Sequence, residues 1–121
     1  MKRPLLAAIV LSLLVAAPAS VAAGNGIIAN PAAPTTVTGV SFTVTTGGGN
    51  RDFATVAVNC SVSGTVIYAT VLNVIVTPKG TGTSQTIYPP ASSCVADLEK
   101  IMQIGKPRVL ASVSFEVTSA P

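Results

Sequence analysis

The sequence predicts an all-β protein, a small antiparallel β-sandwich of immunoglobulin-like or Greek-key type with one short helix or helical turn near 95–104. Three observations carry this expectation. Val, Thr, Ala, Ser and Gly dominate, a β-branched and small-residue chemistry that fits pleated surfaces better than helices. Several segments alternate apolar and polar residues with a period of two. Charged residues are only 9% of the chain, well below the typical quarter.

The N-terminus is read apart from the fold. Met1, Lys2 and Arg3 form a basic start, an apolar run follows to residue 17, and Pro18 breaks it. Small residues then sit where a signal peptidase needs them, in Ala17-Pro18-Ala19, Ser20-Val21-Ala22 and Val21-Ala22-Ala23. Residues 1–23 are therefore expected to be a secretory signal peptide. The apolar run is too short for a comfortable membrane helix, so no stable span is expected after cleavage. Residues 24–36, "GNGIIANPAAPTT", read as a flexible or extended leader rich in Pro, Ala and Gly, and 37–121 as one sandwich domain.

Strands follow in order. From Val40, the residues Val40, Phe42 and Val44 share one face and Ser41, Thr43 and Thr45 the other. "GGGN" closes this strand as a loop. A second strand runs over 53–62, with Ala54, Val56, Val58 and Cys60 on the inner face, and Ser63-Gly64 is a tight-turn signal.

The next stretch, "GTVIYATVLNVIV" (64–76), is almost wholly apolar. More than half of it is β-branched, and Thr77-Pro78 ends it, so a helix is disfavoured. A membrane span fails on length. A strand remains, with Val66, Tyr68, Leu72, Val74 and Val76 on one face and Ile67, Ala69, Val71 and Ile75 on the other. Two apolar faces imply a central strand covered on both sides, a strand bent at Thr70 or Asn73, or a face covered by a partner chain.

Residues 78–85 read as a loop and 86–88 as a short strand. The helix is expected over 95–104, where Val95, Leu98, Ile101 and Met102 recur at helical spacing before Gly105-Lys106-Pro107. The last strand, 108–118, alternates most cleanly, with Val109, Ala111, Val113, Phe115 and Val117 inward and Leu110 an exception. Cys60 and Cys94 are expected to form a disulfide in an exported chain.

Composition also narrows function. Without Lys2 and Arg3, five basic residues face four acids, a net charge of +1. The cations are scattered and aromatics are few, which argues against nucleic acid. Histidine is absent, so the usual catalytic base is missing, and two cysteines lack partners for a metal site. No enzyme activity, metal or cofactor is expected. "GGGN" matches no phosphate-binding pattern.

What remains is an exported structural or interaction protein acting by strand pairing, by self-assembly or with a protein partner, at the cell surface, in the periplasm or outside. In its Thr/Val/Gly-rich composition and single disulfide the chain resembles the pilin subunits of chaperone-assembled fimbriae. It departs from them at the C-terminus, where "FEVTSAP" lacks the penultimate Tyr, and in the late placement of its cysteines. The other reading is a monomeric binding or inhibitory module using loops 45–53 and 77–86. Ile27, Ile28, Arg51, Asp52 and Lys79 are the expected partner contacts.

Overall fold

The computed structural model describes residues 20–21, 24–47, 52–100 and 108–120. They form eight strands: β1 (Ser20–Val21), β2 (Gly26–Asn30), β3 (Ser41–Thr45), β4 (Asp52–Val62), β5 (Thr65–Val76), β6 (Thr81–Thr83), β7 (Ser92–Lys100) and β8 (Arg108–Val117). A five-stranded sheet in the order β1-β8-β7-β4-β5 faces a three-stranded sheet in the order β2-β3-β6, and every strand pair is antiparallel. After the β4–β5 hairpin the chain crosses to the small sheet for β6 and returns as β7 on the far side of β4. This is Greek-key order with its third strand in the opposite layer.

The core lies between the sheets. β4 contributes Val56, Val58 and Cys60, β7 contributes Cys94, Ala96 and Leu98, and β8 contributes Val113 and Phe115. Facing them, Phe42, Val40 and Val44 are fully buried. The Phe42 and Phe115 rings meet across the layers, 5.5 Å apart and tilted by 55°. The expected bond is present. Cys60 and Cys94 are direct partners in the β4–β7 register, and their disulfide spans 34 residues of sequence.

β7 corrects the helix expected at 95–104. Residues 95–100 are strand, 95–99 paired with both β4 and β8 and Lys100 with β8, and 101–104 lie outside the described residues. The spacing of Val95 and Leu98 mimicked a helix. The true period is two, with Ser92, Cys94, Ala96 and Leu98 inward. Small Cys and Ala at the inner positions diluted that alternation.

Four further corrections concern single segments. The 24–36 leader contributes β2, whose Ile27 pairs with Val44, and Thr35 bridges to Thr118, so this stretch belongs to the sandwich. The strand expected at 86–88 reduces to one bridge, Val40 to Ile87. The loop 78–85 holds β6 instead. There Gly82 permits close approach to β5, since a Cβ would collide with the Ile75 carbonyl oxygen and lie 3.0 Å from Val74 Cγ1. Between β7 and β8 the register slips: Leu98 pairs with Ala111 and Glu99 with Val109, so Leu110 is the extra residue. This bulge explains the Leu110 exception. It also turns Val109 to the surface, against the expectation that it faces inward.

The β4–β5 turn is as short as a hairpin allows. Ser63 (φ 52°) and Gly64 (φ 82°) both take positive φ, the backbone of a type I′ turn. Ser63 is the only non-glycine residue with positive φ among those described. Ser63→Asn is expected to raise the thermal midpoint, because Asn tolerates this region better. Gly64→Val is expected to destabilise by about 1–2 kcal/mol in thermal unfolding. Equal midpoints for the three proteins would contradict this turn.

Candidate functional site

β5 is an edge strand, so the expectation of a central strand covered on both sides is overturned. Among the described residues, only β4 pairs with it. Its inner face is buried from Leu72 onward, through Val74 and Val76. Its outer face is open and apolar: Val71 is 63% and Ile75 81% exposed. Toward the hairpin, Val66 and Ile67 are also about half exposed. The strand carries a bulge, at Ile67 rather than at Thr70 or Asn73. Cys60 pairs with Tyr68 and Ser61 with Val66, which leaves Ile67 as the extra residue.

These features bound a pairing window. The Ile67 bulge ends the regular ladder on one side. At the other end β6 lies against β5, with Gly82 close to Val74 and Ile75. Residues 69–73, "ATVLN", lie between, a span of roughly 17 Å at strand rise. Edge strands usually carry devices that stop another strand from docking: Lys, Pro, inward charges or a cover. The whole of β5 holds no charged residue and no proline. Alternate residues of the window aim their backbone N–H and C=O groups away from β4. The chemistry on offer is backbone hydrogen bonding plus burial of β-branched side chains, with Asn73 the one polar amide.

Among the described residues, the expected contacts do not assemble into one site. Ile27 is buried in the core, opposite Val44. Ile28, its neighbour in β2, is 56% exposed on the outer face of the small sheet. Lys79 is exposed in the turn after β5. Asp52 opens β4 opposite Val76, at the same end of the large sheet as Lys79. Arg51 lies outside the described residues. The two loops named as a contact surface do meet: the Thr46 amide donates to the Gly80 carbonyl at 2.7 Å.

Asp97, Glu99 and Glu116 sit on the outer face of the large sheet. Asp97 and Glu99 share one face of β7, where a helix would have separated them. Ser112 Oγ donates to Asp97 at 2.6 Å, and Ser93 Oγ donates to Glu116 at 2.9 Å. These are cross-strand surface bonds between β7 and β8. Among the described residues, no three of His, Cys, Asp and Glu gather as a metal-ligand set, and no helix is long and apolar enough to cross a membrane.

Sequence reasoning found the two-sided apolar character of β5 without placing it at an edge. The usable signal was the twelve-residue run of Thr65–Val76 with no charge at all. The buried disulfide is compatible with an oxidising, extracellular environment. Comparison with protein-family models, with curated proteins and with solved structures finds no match.

Proposed function

We propose that this chain is an exported, non-enzymatic structural or interaction protein, a surface or pilus-like assembly subunit that works by strand pairing through the edge of β5. One observation carries the reading: β5 is an uncharged, proline-free edge strand whose outward Val71 and Ile75 are exposed. An undefended edge of this kind is a template for another chain. Export rests on the N-terminal pattern of basic, apolar and small residues, and the disulfide agrees with it.

Val71→Lys tests the reading. Val71 points outward, so a lysine there leaves the core intact and places a charge in the pairing window. In light scattering on the purified oxidised protein, the parent chain is expected to self-associate with rising concentration. The Val71→Lys protein is expected to lose at least tenfold in association constant at an unchanged thermal midpoint. Equal association of both proteins would contradict pairing at β5.

The second reading, a monomeric binding or inhibitory module, draws support from the contact between the two end loops through Thr46 and Gly80. It predicts a parent protein that stays monomeric at every concentration.

A further inference from the structure

The other edge of the large sheet holds a second seat. Within this sheet, the described residues place only β1 beside the outer side of β8, where Ser20 pairs with Ser112 and Val21 with Ala111. β1 lies inside the cleavage region. Cutting after Ala19 leaves Ser20 as the new N-terminus and keeps β1. Cutting after Ala22 or Ala23 removes it. We infer that the β8 edge is a strand-docking seat that β1 fills in the uncut chain and that β5 of a second copy takes once β1 is cut away. This rests on the reading of β5 as a pairing strand.

Strand direction favours that occupant. All neighbours in the sheet are antiparallel, so β8, β7, β4 and β5 alternate and β5 runs opposite to β8. A copy shifted sideways without reversal therefore brings its β5 antiparallel against β8, the sense in which β1 pairs. The same shift keeps the small sheets on one side, so the apolar interior continues across the junction. While β1 is present the count is odd, and the shifted β5 would meet a two-residue strand running parallel to it. The contact stretches agree chemically as well. Residues 69–73, "ATVLN", and 111–114, "ASVS", carry no charge, so pairing opposes no like charges. A junction of unlike edges leaves a free β5 at one end and a free β8 at the other, and so grows beyond a dimer.

The test compares the two cleavage products, the chain starting at Ser20 and the chain starting at Gly24, both oxidised. Light scattering across a hundredfold concentration range is the readout. The Gly24 form is expected to grow past the dimer and the Ser20 form to stay at least tenfold weaker in association. Val21→Pro in the Ser20 form keeps the chain length but takes a donor and the strand geometry from β1. It is expected to associate like the Gly24 form, and it carries the test if the Gly24 form does not fold. Hydrogen exchange near Ala111 and Ser112 is expected to be slow in the Ser20 form and fast in the dilute Gly24 form.

Equal growth of the two forms would overturn the β1 cap and leave pairing at β5 standing. Growth that stops at a dimer would overturn the β8 seat in favour of two β5 edges meeting about a two-fold axis. Absence of association in every form would overturn both this inference and the reading of β5.

Discussion

Phe42→Ala is expected to destabilise the protein by about 3–5 kcal/mol, the largest effect of any single change considered. Phe42 is fully buried, and its ring is the small sheet's direct contact with Phe115 of β8. Two terms add. The truncated side chain loses its transfer free energy, and the cavity left between two hydrogen-bonded sheets cannot collapse, because neither backbone is free to move inward. Domains of this size are stable by only about 5–15 kcal/mol in all, so the variant sits near the limit of folding at 37 °C. Phe42→Leu refills most of the space and is expected to cost less than half as much. Denaturation in urea measures both. A loss under about 1 kcal/mol for Phe42→Ala would mean that the layers do not meet at this ring.

The second large effect is expected from the disulfide. Replacing Cys60 and Cys94 together by alanine releases a loop spanning 34 residues of sequence, which on the chain-entropy model costs about 4 kcal/mol. The bond joins adjacent strands that remain paired through the β4–β7 register, so the native fold itself is expected to persist. The loss therefore falls on the balance with the unfolded chain. Both sulfurs are buried, and alanine leaves two small voids that add to the loss. Urea denaturation of the oxidised parent and the double variant checks this. A difference under about 1 kcal/mol would show that the unfolded chain is already compact around this loop.

Where one face of a strand is buried and the other wet, the sequence announces the strand. Phe42 and Val44 in β3, Val56, Val58 and Cys60 in β4, and Val113, Phe115 and Val117 in β8 all lie on the predicted inner faces. The misread elements share a different cause. β7 presents small Cys94 and Ala96 to the core and Val95 to solvent, so its hydrophobic pattern contradicts its true period. β6 is a Thr-Gly-Thr tripeptide whose strand state comes from pairing with β3 and from the space that Gly82 leaves beside β5. No local pattern encodes that. Bulges at Ile67 and Leu110 reverse facing within a strand, and only the partner's register reveals them.

The candidate site was half legible for a related reason. The apolar outer face of β5 stands out in the sequence, but an outward Val71 or Ile75 reads the same whether another layer covers it or not. Edge or centre is a property of strand order, which follows from long-range pairing. Ile27 misled in the opposite direction. The sequence reads it as a partner contact in the 24–36 leader, and it is a core residue of β2.

Amide hydrogen exchange on the oxidised chain, dilute and then concentrated, tests the pairing of β5 most directly. The outward amides of residues 69–73 are unpaired in a single copy, so they are expected to exchange quickly when dilute. On concentration they are expected to slow by at least tenfold, while the amides between β4 and β7 stay unchanged. If the 69–73 amides remain fast at concentrations where the protein has associated, the chain assembles through some other surface and β5 is not its pairing edge.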